Sequence, residues 1–219
     1  MMLRWLRWIA VAVILIGEAP VLAPALLLFP YKTELRGFTV RSELPLSRAE
    51  LEPVLADAER RIATSPLARG KQPRNLYLTI GTWRWNWVAL TQRNNFAVSR
   101  FLTDSIIFNR TDVARNIVHS RRQIGSTRAL SSDIAHEVAH GMIRHHFGML
   151  TALTAPKWVI EGYCDYVAGE STLSEAEVAR LQNANITHGT IDNYHARLRV
   201  ARELTANGGS VDRLFADAR

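Results

Sequence analysis

The chain has 219 residues, 47% of them hydrophobic, and carries 27 Lys and Arg against 20 Asp and Glu for a formal net charge of +7. That apolar content is enough for a packed core and excludes a disordered chain, while a single cysteine, Cys164, excludes any intrachain disulfide. The positive charge comes without zinc-finger spacing, an RNA-binding signature or a basic zipper. No nucleic-acid partner is therefore expected, and the arginines at 121, 122, 128, 197, 199 and 202 read as a solvated surface that suits anionic headgroups.

At the amino end, Ile9 to Phe29 is almost wholly apolar and about as long as a helix that crosses a hydrocarbon core. Trp5, Trp8 and Tyr31 flank it, where amphipathic rings favour the membrane interface. Glu18 costs roughly 2.5–3.5 kcal/mol on insertion scales, which the surrounding Leu, Ile and Val offset, and Pro20 and Pro24 kink such a helix without forbidding it. A cleaved signal peptide is the rival, with Arg4 and Arg7 as its basic start and cleavage after Ala23-Pro24-Ala25. The apolar run continues through Phe29, where a mature protein should turn polar, and this favours the anchor. The expectation is a single-pass transmembrane anchor over residues 1–30 and one domain over 31–219. Either kind of signal would deliver that domain outside the cytoplasm, on the periplasmic side.

Short β-branched runs between turn residues predict strands at Gly37 to Arg41 and Asn75 to Ile80. Between them Ser47 and Glu50 form a capping-box pattern, and Val54, Leu55, Ala58 and Ile62 fall at helical spacing, although Pro53 suggests a later helix start. Pro66 to Arg74 reads as a loop. Trp83, Trp85 and Trp87 alternate after Gly81, which predicts one face of a core strand, with a membrane-facing aromatic patch as the other reading. Phe96 to Arg100 and Ser105 to Asn109 read as two strands around a polar tip. From Asp112 onward strand signals stop, and helices are predicted at Ser132 to Phe147, Lys157 to Ala168, Glu175 to Asn183 and Ile191 to Ala206. Ser174 with Glu177 makes a second capping box, and Gly148 suits a helix stop. Strands first and helices after give an α+β class, a small mixed sheet followed by an active-site helix and a helical C-terminal part.

The run His136-Glu137-Val138-Ala139-His140 lies inside the first of these helices. Residues i and i+4 share one face, so both imidazoles can aim at one point, and Glu137 is displaced by about 100° around the axis. Glu161 follows after 20 intervening residues on the next helix, reached by a turn through Gly148 and Pro156. Two neutral imidazoles, one carboxylate and an open fourth position are the usual set for catalytic zinc, one ion per chain. Asp165 stands one turn after Glu161 and is placed to accept the second ring N–H of His136, fixing its tautomer. Cys164 is a possible ligand, but a small buried residue is the expected role. His146 stands at the third histidine position of the HExxHxxGxxH pattern, yet Ile143 replaces the glycine that would break the helix there. Arg144, His145 and His146 also make this helix a poor membrane span.

The run HEVAH followed by W-V-I-E-G-Y-C-D-Y resembles the gluzincin zinc metallopeptidases, which pair HExxH with a glutamate on the next helix. Its E-x-x-x-D run, Glu161 to Asp165, is similar to the thermolysin branch, and Glu161, Gly162 and Tyr166 are like the peptidase MA-type bacterial proteins. The resemblance covers His136 to Tyr166. It implies a zincin-like fold with a small sheet ahead of the active helix, zinc on His136, His140 and Glu161, and Glu137 as general base toward a peptide carbonyl. A fainter likeness from Tyr194 to Leu214, toward the aminopeptidase branch, implies Tyr194 as the donor to the oxyanion, with neighbouring His195 as the alternative. A peptide or protein substrate would pair with one of the strands 96–100 or 105–109. The other functional reading is a membrane-tethered module that keeps the zinc fold for binding and does not turn over.

Overall fold

In the computed structural model the described residues are Trp5, Trp8, Ala19, Pro20 and 23–218. Among them a seven-stranded mixed sheet has its main path in the order β1 (Tyr31–Leu35), β2 (Phe38–Ser42), β3 (Asn75–Thr79), β5 (Ser105–Asp112), β6 (Ile117–His119), β7 (Thr127–Ala129). Strand β4 (Ala97–Arg100) lies off this path and pairs antiparallel with β5. The β2–β3 and β3–β5 pairs are parallel and the remainder antiparallel. Parallel neighbours require crossovers, and α1 (Arg48–Ile62) and α2 (Trp83–Ala89) lie in the two that join them.

Alternation along the central strands gives the sheet two apolar faces. Leu76, Leu78, Ile106 and Phe108 join the main core with Leu51, Val54 and Leu55 of α1 and with α3 (Leu130–Thr154) and α4 (Lys157–Ala168). Tyr77, Val98 and Ile107 point the other way and are covered by Leu27, Trp85, Val88, Ala89 and Phe29. Beyond α4 lie α5 (Glu175–Asn183), α6 (Gly189–Ala206) and α7 (Val211–Asp217).

Helix α1 starts at Arg48, earlier than Pro53 suggested, because the Ser47 side chain accepts the Glu50 N–H. Pro53 is carried inside the helix, its lost hydrogen bond compensated by the buried stripe Leu51, Val54, Leu55, Ala58 and Ile62. The tryptophan triplet forms a helix, not a strand. Residues two positions apart on a helix are about 200° apart around its axis, so Trp85 is buried while Trp83 and Trp87, one turn apart, face outward. Strands continue past Asp112 as β6 and β7, whose three residues each are too short for alternation to register.

The predicted helices at 157–168 and 175–183 match α4 and α5, and the capping box of Ser174 and Glu177 is formed. Helix α3 runs on to Thr154 with a break at Gly148 (φ 84°, ψ 165°). Most of the expected membrane span lies outside the described residues; among those described, no helix is long and apolar enough to cross a membrane. The end of the expected span is corrected. Pro24–Leu27 is a single 3₁₀ turn closed by Leu28 at φ 50°, and Leu27 and Phe29 pack on the sheet, so no long helix reaches Phe29.

Two constraints hold the helical layers in place. Gly162 lets α4 approach α6 so closely that a Cβ there would stand 2.6 Å from the Ala196 carbonyl oxygen. Asp104, at the β4–β5 turn, binds Arg144 at 2.7 Å, His145 at 3.0 Å and Lys71 at 2.9 Å, clamping the turn to α3. Burial pushes the Asp104 carboxyl up, but the Lys71 and Arg144 bonds outweigh it and hold the group below its ordinary value. Two outcomes follow. Gly162→Ala should destabilise the fold by about 1–3 kcal/mol in urea denaturation, because backbone blocks the new methyl. A carboxyl with a depressed folded-state value contributes stability above the ordinary range of about 4, lost as pH falls through the depressed value. Asp104→Asn should therefore flatten the acid limb of a stability-against-pH curve.

Candidate metal centre

Helix α3 begins directly after β7 and has no side-chain cap of its own. Asn116, in the turn between β5 and β6, caps it from outside: its carbonyl accepts the Leu130 N–H at 3.0 Å and its Oδ1 the Ser131 N–H at 2.8 Å. The start of the helix is thereby fixed to the sheet. Its first turns are buried, and Gly141 passes so close to Pro73 that a Cβ would meet the ring at 2.1 Å. Helix α4 starts after Pro156 and ends at Gly169 in the left-handed conformation (φ 74°), with Arg61 donating to the Ala168 carbonyl.

These two helices bring His136, His140 and Glu161 together. The two Nε2 atoms are 3.1 Å apart, and Glu161 stands 3.8 Å from His136 Nε2 through Oε2 and 3.7 Å from His140 Nε2 through Oε1. Ligand atoms about 2.0–2.2 Å from one tetrahedral ion lie roughly 3.3–3.6 Å from each other. The three observed separations lie a few tenths of an ångström outside that range, and the two to Glu161 run from different oxygens, so the groups converge on one point that a small cation could occupy only after small shifts. Cys164 lies in the same neighbourhood: one ligand atom from each of His136, His140 and Cys164 falls within 4.8 Å of the others. This His–His–Cys group could also hold a metal ion.

His136 is oriented from behind. Its Nδ1 lies 2.8 Å from Asp165 Oδ1, as the spacing of Asp165 from Glu161 suggested. A carboxylate only accepts, so the proton sits on Nδ1 and the Nε2 lone pair faces His140. Arg128 Nη2 donates to the same Oδ1 at 2.8 Å and to the Glu170 carbonyl at 3.0 Å, and Arg128 Nη1 lies 3.6 Å from Asp133. The 3.4 Å approach of Arg128 to His136 Nδ1 joins two donors and is not a hydrogen bond; both serve Asp165. Arg128 is 8% exposed, which corrects its reading as solvated surface.

The electrostatics follow from this arrangement. Burial pushes the Asp165 carboxyl up, but the Arg128 charge and the His136 bond outweigh it and hold the group at about 2. Burial likewise works against the charged form of His136, and its bond to Asp165 overcomes that and leaves its value raised. His140 has no such carboxylate behind it, so burial and then the neighbouring His136 lower it. Asp133 is pushed up to about 6, mainly by burial, against the attraction of Arg128 and with added repulsion from Glu137.

Glu137 shares a cleft of about 710 Å³ with His136, His140 and Glu161, along with Phe101, Met149 and Leu153. Ser99 of β4 donates to Glu137 Oε2 at 2.6 Å. Tyr194 does not line this cleft; it packs with Leu173, Val178, Leu181 and Ile191 in a separate apolar cluster. His195 meets Gln182 on the surface at 3.2 Å. From that part of the chain it is His188, Thr190 and Asn193 that reach the cleft. His146 points to Asp212 at 2.8 Å, and α3 stays helical through Ile143, in keeping with the exclusion of a third histidine ligand.

Sequence spacing missed Ser99, Arg128, Asp133 and His188. Only Asp133 had a local signal, standing one turn before Glu137 on the same face. Compared with protein-family models, curated proteins and solved structures, the chain gives no match. If the centre holds a metal, Asp165→Asn should weaken its binding by roughly 10–100-fold in chelator competition, with circular dichroism confirming the fold.

Proposed function

We propose that the chain is a zinc-dependent metallopeptidase of gluzincin type with a zincin-like fold. The observation that carries this reading is the convergence of His136, His140 and Glu161, 3.1–3.8 Å from one another, in a cleft that also holds Glu137. Zinc would be held by those three residues and, when bound, makes a hydroxide nucleophile available near neutral pH. Glu137 accepts the proton from the attacking water and passes it to the departing nitrogen of the scissile peptide. The Ser99 hydroxyl donates to Oε2 of Glu137 and orients the carboxylate, whose Oε1 would take the proton. His188 replaces Tyr194 as the candidate donor to the oxyanion. Its Nδ1 accepts the Thr190 N–H at 3.3 Å, so in the neutral ring Nε2 carries the proton.

Between the two strands considered for substrate pairing, β4 is favoured because β5 has neighbours on both sides. The Asn109 N–H bonds to the Phe96 carbonyl, which makes 96/109, 98/107 and 100/105 the hydrogen-bonded pairs. The backbone groups of Ala97 and Ser99 therefore point to the open edge, where an extended peptide finds its partners. The largely apolar sequence that precedes Pro24 is proposed as the single-pass anchor, with the domain on the periplasmic side.

A second reading, a zinc-holding module without turnover, is favoured by Cys164 alone. Were Cys164 and Glu161 both ligands, four protein groups would close the site and leave no place for a reacting water. Metal analysis and a casein or peptide-library assay on the full chain separate the two. Under the peptidase reading Glu137→Gln keeps one zinc and loses turnover by a factor of about 10² or more, while Cys164→Ala keeps zinc and activity. Zinc lost from folded Cys164→Ala, or no zinc in the folded unmodified chain, overturns it.

A further inference from the structure

The face of the sheet opposite the metal helices carries a thin outer layer: the turn Pro24–Leu27, Phe29 and helix α2. We propose that this layer is the surface on which the domain lies against a lipid bilayer, with Trp83, Trp87, Leu26 and Leu28 in the headgroup region. The inference rests on the anchored reading above and adds the side of the domain that faces the lipid.

Three observations carry it. The layer is apolar outside as well as inside: Trp83 is 55% exposed, Trp87 46%, Leu26 56% and Leu28 79%. Tryptophan and leucine at such exposure are costly in water, whereas indole rings partition to the membrane interface. Next, the apolar sequence before Ala23 runs straight into this layer. Ala23 to Leu28 spans six residues, at most about 20 Å even if fully extended, so a bilayer holding the preceding segment starts close to α2.

The junction is also fastened down. Arg84 of α2 donates to the carbonyls of Leu27 at 2.9 Å and Leu28 at 3.4 Å, and its guanidinium lies over the rings of Trp83 and Phe29. A loose tether would leave the domain free to tumble; a chain bound to α2 over this length presents α2 to whatever surface holds the chain. Two cations border the layer, Arg41 over the Tyr77 ring and Arg93 donating to the Asn86 carbonyl, and both suit anionic headgroups. Helix α6 packs on α4 on the far side of the sheet, so it faces away from the lipid.

The test uses the full chain in vesicles of phosphatidylethanolamine and phosphatidylglycerol. Cys164 is buried, so spin labels react at introduced cysteines. Labels are placed at W83C and W87C in α2 and, as a control, at R202C in α6. Flotation with the vesicles reports the anchor; collision with oxygen and with a nickel chelate reports immersion. The expected result is co-flotation, with the W83C and W87C labels shielded from nickel and open to oxygen and the R202C label the reverse. Co-flotation with nickel-accessible α2 labels overturns the docking surface and leaves the anchor standing. Labels shielded from both reagents overturn it in favour of a protein contact, and a chain that does not float removes the anchor and the docking surface together.

Discussion

Arg128 is a full positive charge taken almost entirely out of water, and the architecture of the centre is arranged around keeping it paired. Removing a guanidinium from solvent costs several kcal/mol unless partners replace the lost hydration, and here Asp165, Asp133 and the Glu170 carbonyl do so. The three partners come from α3, α4 and the turn that follows α4. Arg128 itself sits in β7, the last strand of the sheet. One side chain therefore ties the sheet to both helices that carry the candidate ligands. Asp165 is the shared element: held ionised by Arg128, it in turn fixes the tautomer of His136.

The same arrangement explains why two histidines on one helix face behave differently. His136 has an anion behind it and His140 does not, so burial dominates for the second ring but not for the first. Their Nε2 atoms nevertheless face each other at 3.1 Å, a contact that needs a cation or a shared proton between them. Glu161 approaches from α4, whose position depends on the missing side chain of Gly162 against α6. The geometry of the centre is thus inherited from packing well outside it.

What the sequence disclosed was local. His136, Glu137 and His140 sit at fixed offsets on a single helix, and Asp165 follows Glu161 by one turn, so helical periodicity was enough to bring their side chains together. Ser99, Arg128 and His188 reach the cleft from elsewhere in the chain, and no local spacing encodes that. The fold was legible to the same extent: α4 and α5 have clean stripes and punctuation, whereas β6 and β7 are too short to show alternation. The tryptophans misled because alternation at 83, 85 and 87 fits a strand on paper, while only Trp85 needed burial. Tyr194 failed for another reason. A faint likeness gave it a chemical role, but its ring is one of five buried apolar side chains in a cluster of its own.

The open edge of β4 has a consequence for how an extended chain could move through the cleft. Only alternate residues of that strand turn their amides outward, and a strand laid against them must match that alternation. A shift by one residue would present the wrong backbone groups and turn every side chain to the opposite face. For a peptide bound there, movement along the edge would come in dipeptide strides of about 7 Å, so that carbonyls of one parity, and not their neighbours, would arrive opposite Glu137.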